Sequence, residues 1–216
     1  MKTTILFDLD GTLTDPGLGI TNSVMYALRK LGYEVPAREK LYKYIGPPLA
    51  DSFREDYGMT QQQAQHAIDV YREYFSVTGL FENEVYPGIP EMLSELRAGG
   101  KKLLLATSKP EKFARRIMEH FDLAKYFDFI GGADLAGTRG TKDRVIEYVL
   151  RETGTDAADC VMVGDRLHDA EGAAKFGIPT IGVLWGYGSE EELRSAGCAG
   201  IAESAEELVQ LCCTIS

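Results

Sequence analysis

Short apolar runs separated by helical patterns constrain this chain more than any other feature. Five runs read as buried strands: Lys2–Leu9, Lys102–Thr107 (KLLLAT), Phe127–Ile130 (FDFI), Cys160–Gly164 (CVMVG) and Pro179–Leu184 (PTIGVL). Between them lie stretches with helical spacing. Pro90–Ala98 opens on proline and stops at Gly99-Gly100, the asymmetry expected of helix ends. Pro110–Phe121 spaces Phe113, Ile117 and Phe121 four apart, and Thr141–Arg151 puts Val145, Ile146, Val149 and Leu150 on one stripe. Apolar strands alternating with helices predict an α/β fold, a parallel sheet covered on both faces.

Gly17–Gly79 breaks that alternation, because it holds no strand-like run. Ile20, Val24, Ala27, Leu28 and Leu31 mark an amphipathic helix ended by Gly32. Further helices are predicted near Ala37–Tyr44, Pro48–Tyr57 and Gln61–Val77. The expected organisation is an α/β core, residues 1–15 and 81–216, with an all-helical domain, residues 16–80, inserted after the first strand.

With 216 residues, 44% of them hydrophobic, the chain can bury a substantial core. Its net charge of -10 argues against nucleic acid and anionic membranes as partners. An anionic ligand would need a site with positive charge of its own. No window approaches the roughly 18 apolar residues of a membrane span, and the N-terminus lacks the pattern of a signal peptide. Cys160, Cys198, Cys212 and Cys213 show no metal spacing, which fits a reduced, cytoplasmic setting.

The acids stand at strand ends, where open α/β sheets bind ligands. Asp8 ends the first strand, and Asp10 follows two residues on, so both side chains can face one volume. Two close carboxylates repel each other, and either a cation such as Mg2+ or a shared proton relieves them. Such a pair suits a nucleophile beside a general acid. Asp10-Gly11 is also a turn signal, and Asp15 reads as a local cap at the entry to the insert. The second strand ends in Thr107-Ser108-Lys109, where a hydroxyl can bind a phosphate oxygen or Ser108 can cap the next helix. The fourth ends in Gly164-Asp165-Arg166-Leu167-His168-Asp169, a second acidic loop, with a helix cap at Asp169 as the plainer reading. Lys142 sits in the first turn of a helix, where the macrodipole disfavours a cation; it reads as a counter-charge for phosphate or as an exposed lysine.

Taken in order, Asp8-Leu-Asp10-Gly-Thr12, Thr107, Lys142 and Gly164-Asp165 with Asp169 resemble the haloacid dehalogenase superfamily of phosphohydrolases over essentially the whole chain. DLDGTLTDPGLGITNS, YIGPPLADSF, YPGIPEML, TSKP and GDRLHD are similar to its phosphoglycolate phosphatase and 5'-nucleotidase branch. The resemblance implies a Rossmann-like core with a helical cap of the C1 type. It implies Asp8 as nucleophile, Asp10 as general acid and base, and Thr107 and Lys142 as phosphate ligands. Mg2+ would be held by Asp8, the backbone carbonyl of Asp10 and Asp165, with Asp169 supporting the metal or Lys142. Ser108 and Lys109 are candidate substrate residues, as are Lys43, Tyr44, Gly46 and Arg54 of the insert. The loop Tyr44-Ile-Gly46-Pro-Pro-Leu49 is expected to overhang the site, or to be a plain helix-helix turn. A monomer or homodimer acting on a small phosphorylated metabolite is expected, a nucleoside monophosphate first and phosphoglycolate second. The rival readings are a phosphomutase and a catalytically silent binding module. A P-loop enzyme is disfavoured, because no Gly-rich loop ending in Gly-Lys-Ser/Thr follows a strand.

Overall fold

The structure, a computed structural model, describes residues 2–135 and 138–215. The chain divides into two compact units, Met1–Thr14 with Val85–Ser216, and Asp15–Glu84. In chain order the strands are β1 (Thr4–Phe7), β2 (Thr14–Asp15), β3 (Glu84–Val85), β4 (Lys102–Pro110), β5 (Phe129–Ala133), β6 (Cys160–Gly164), β7 (Thr180–Val183) and β8 (Gly200–Ala202). The helices are α1 (Gly17–Leu31), α2 (Leu49–Tyr57), α3 (Gln61–Tyr74), α4 (Ile89–Ala98), α5 (Glu111–His120), α6 (Lys142–Thr153), α7 (Leu167–Ala174), α8 (Glu190–Ser195) and α9 (Ala205–Thr214).

The larger unit is built on a six-stranded parallel sheet of order β5-β4-β1-β6-β7-β8. After β1 the chain moves outward through β4 and β5, then returns to the other side of β1 for β6, β7 and β8. Strand order therefore reverses beside β1, and a crevice opens at the carboxyl ends of β4, β1 and β6. Register locks those ends together, with Phe7 level with Leu105 on one side and Val163 on the other. Ile5, Leu6 and Phe7 are fully buried, as a strand covered on both faces requires. On one face Leu6, Leu104, Ala106 and Met162 pack with Val145, Ile146 and Val149 of α6. Each such large side chain stabilises the fold by roughly 1.5–3 kcal/mol.

Several expectations need correcting. β4 runs past Thr107 to Pro110 through an irregularity, and β5 covers Phe129–Ala133 instead of starting at Phe127. The stretch after Asp165, expected as a polar loop, enters α7 at Leu167. β8, α8 and α9 were not foreseen.

The smaller unit is helical. α1 ends at Gly32, whose φ of 78° lets its N–H reach back to Leu28 and Arg29 carbonyls. Asp15 caps the entry, its Oδ1 accepting from Gly17 N at 2.9 Å. α3 opens with a reciprocal capping box between Thr60 and Gln63. Arg38–Tyr44, expected as an α-helix, is a tighter 3-10 helix. Gly46 follows with φ 104°, a conformation that favours glycine, before Pro48 leads into α2.

Candidate active site

Three buried carboxylates, Asp8, Asp165 and Asp169, each place an oxygen within 4.8 Å of the others. Asp8 directly follows β1, Asp165 directly follows β6, and Asp169 lies in the first turn of α7. Lys142 begins α6 and is buried, with Nζ 2.8 Å from Asp8 Oδ1, 2.8 Å from Asp169 Oδ1 and 3.0 Å from the Ala106 carbonyl. The exposed-lysine reading of Lys142 is thereby excluded. Burial by itself disfavours its ammonium, but Asp169 and Asp8 outweigh that and raise its pKa. Asp169 also does the work of a cap: Oδ2 accepts from Arg166 N at 3.2 Å, leaving Oδ1 for the cluster.

Asp10 has a separate partner. Both its oxygens meet Lys109 Nζ, at 2.9 and 2.7 Å, and only 4% of the lysine side chain is exposed. Burial raises the Asp10 pKa; Lys109 opposes that, while the charge of Asp8 adds to it. Thr107 is buried, its Oγ1 accepting from Lys109 N at 3.2 Å. Ser108 is half-buried and does not cap α5, which starts without a side-chain cap.

Close backbone packing holds Asp165. Its Oδ2 accepts from Tyr187 N at 2.8 Å, and Thr12 Oγ1 donates to Oδ1 at 3.4 Å. A Cβ on Gly11 would lie 2.2 Å from Asp165 Oδ2, one on Gly186 2.3 Å from the Gly11 carbonyl, and one on Gly188 1.8 Å from the Asp165 carbonyl. Gly11 also has φ 81°. Trp185 Nε1 donates to the Thr12 carbonyl at 3.0 Å, tying the same loop to the first motif. Glu192 of α8 accepts from Arg166 Nε and Leu167 N, fixing the start of α7. The Trp185–Gly188 loop and Glu192 belong to no motif evident in the sequence. Gly186 and Gly188, two residues apart just past a strand, were the available signal.

A divalent cation fits this cluster. Of the four acids Asp8, Asp10, Asp165 and Asp169, Asp10 pairs with Lys109, and Asp8 and Asp169 pair with Lys142. Asp8 Oδ1 and Asp169 Oδ1 are buried without a hydrogen bond, although Lys142 stands at ion-pair distance. Burial, then the charge of Asp169, pushes Asp165 up to about 8. A hard oxygen-lined site that is short of positive charge suits Mg2+.

The candidates of the helical unit look different. Lys43 pairs with Asp56, and Arg54 lies 3.7 Å from Asp51. Tyr44 is 1% exposed, its ring edge-on to Phe53 and its hydroxyl donating to the Ser52 carbonyl at 3.4 Å. Its ring therefore belongs to the packing of that unit.

The chain belongs to the haloacid dehalogenase-like hydrolase family, which it matches over residues 5–183, and within it to the phosphatases. It is 50% identical to a 5'-nucleotidase of Pseudomonas aeruginosa, over 88% of this chain and 86% of that protein. It is 39% identical to PtkA, a tyrosine-protein kinase of Mycobacterium tuberculosis, over 93% of this chain and 68% of that protein. The crystal structure of a predicted phosphatase from Clostridium acetobutylicum superposes with a TM-score of 0.97 at 46% identity, covering both chains fully.

Proposed function

We propose that the protein is a Mg2+-dependent phosphomonoester hydrolase that works through a phosphorylated Asp8. The observation that carries this reading is the buried carboxylate triad with Lys142 set between two of its members. Asp8, Asp165 and the Asp10 backbone carbonyl would hold the cation, which supplies charge neutralisation at the phosphoryl oxygens when bound. Lys142 and the Thr107 hydroxyl bind phosphate oxygens, and Lys142, 2.8 Å from Asp8 Oδ1, holds Asp8 in position.

The chemistry then takes two steps. An Asp8 oxygen attacks phosphorus, the bond from phosphorus to the ester oxygen breaks, and the proton of Asp10 passes to that leaving oxygen. Water next gives a proton to Asp10 and attacks phosphorus. The Asp8–phosphorus bond breaks, releasing inorganic phosphate and restoring the carboxylate. Burial holds Asp10 protonated over more of the pH range than a free aspartate, as its role as acid requires.

Substrate selectivity we assign to the helical unit, with Lys43 and Gly46 as its candidates. The identity to a 5'-nucleotidase supports a nucleoside 5'-monophosphate, with phosphoglycolate as the alternative. The free thiols Cys160, Cys198, Cys212 and Cys213 suit a cytoplasmic setting. A second reading comes from the PtkA relative: transfer of the phosphoryl group to a hydroxyl other than water, which a phosphomutase would also perform. Phosphate release from a panel of nucleoside monophosphates, phosphoglycolate and sugar phosphates with Mg2+ separates them. We expect turnover with a nucleoside monophosphate best, and loss of turnover with a chelator. Phosphorylated acceptor without free phosphate would favour the transfer reading instead.

A further inference from the structure

Lys109 stands where β4 departs from regular pairing. Thr107 lies level with Gly132 and Pro110 with Ala133, so Ser108 and Lys109 have no counterparts on β5. Such an irregularity bends a strand and re-aims its side chains. It is held tightly: a Cβ on Gly132 would lie 2.6 Å from the Lys109 carbonyl and 2.8 Å from Glu111 Cα. Re-aimed in this way, the Lys109 ammonium grips both oxygens of Asp10 and is almost wholly shielded from water. A cation engaged with two carboxylate oxygens in a buried setting is poorly placed to serve as a substrate contact.

We propose that Lys109 is the positioning residue of Asp10, an inference that rests on the proton-transfer role assigned to Asp10 above. With three N–H donors, it can release one oxygen of Asp10 toward a leaving group while still holding the other. Without it the carboxyl is free to rotate, and alignment for proton transfer is lost. Its importance should therefore scale with how much the leaving group needs a proton. An alkoxide leaving from a nucleoside monophosphate needs one; p-nitrophenolate does not.

The test compares kcat/KM for a nucleoside monophosphate and for p-nitrophenyl phosphate. Lys109→Met should lower the first about 100-fold, the lower range of general-acid contributions, and the second less than about tenfold. In an Asp10→Asn background, Lys109→Met should change either rate by no more than about twofold, because the group it positions is already disabled. Lys109→Arg, which keeps a cation, should lose less than Lys109→Met and retain the same preference for the activated ester. If Lys109→Met does not fold, Lys109→Arg and the Asp10→Asn pair carry the test, the double variant having no unpaired buried charge at this position. Equal losses on both esters, or full additivity with Asp10→Asn, overturn the role of Lys109 while leaving the phosphatase reading intact. Absence of turnover by the wild-type protein on either ester removes that reading, and this proposal with it.

Discussion

Lys142 shows how much one residue can carry in a buried acid cluster. Removing it leaves Asp8 and Asp169 buried without a cation, and breaking a buried pair costs roughly 3–5 kcal/mol. Lys142→Met should lower the unfolding free energy measured by urea titration by that amount at neutral pH, shifting the midpoint down, with Mg2+ restoring part of it. An unchanged midpoint would mean that Lys142 does not offset the acids. This residue was legible in the sequence because it broke a local rule, a cation at a helix start. The Lys109–Asp10 pair was not, because its members are 99 positions apart and only the fold brings them together. Tyr44 fills its own unit's core, a placement that sequence alone does not separate from availability to a ligand.

At the scale of elements, apolar strands and striped helices were readable because burial on both faces leaves an unbroken apolar run. β8 is only three residues, Gly200–Ala202, too short to show a pattern, and the α7 start was hidden among charged residues. The loop after β7 was hidden too, since its hold on Asp165 runs through a backbone N–H and glycines. It yields a prediction. Gly188→Ala must displace the Asp165 carbonyl, so Mg2+ affinity by calorimetry should fall at least tenfold, the lower range for supporting residues of metal sites. Retained affinity would show that the loop does not fix Asp165. In α9, Cys212 faces inward and Cys213 outward. Burial pushes the Cys212 thiol up to about 12 and the Cys160 thiol up to about 11. Iodoacetamide at mildly alkaline pH should therefore label Cys213 first; equal labelling of Cys160 or Cys212 would contradict this burial. The folded state holds these protons above the ordinary thiol value, so their contribution to stability is complete below about pH 9. It is lost as pH rises toward 11 and 12. A urea midpoint that does not fall across that window would contradict it.

At the scale of the molecule, an acidic protein holds an acidic site, and that combination makes sense only with cations inside it. The net charge of -10 would repel a phosphate ester, so attraction has to be local, from Lys142, Lys109 and, in the proposed function, a cation held by the acids. No helix among the described residues is long and apolar enough to cross a membrane. The switch between strand-like and helical patterning was legible in the sequence, whereas substrate choice was not, because it depends on which side chains meet an organic group in space. The proposed mechanism depends above all on Asp8 taking the phosphoryl group. Its most direct test is to quench the protein in acid during the first turnover of its best phosphomonoester and weigh its peptides. We predict one phosphoryl group on the peptide that contains Asp8, with both the label and turnover lost in Asp8→Asn. Undiminished phosphate release by Asp8→Asn would contradict the account.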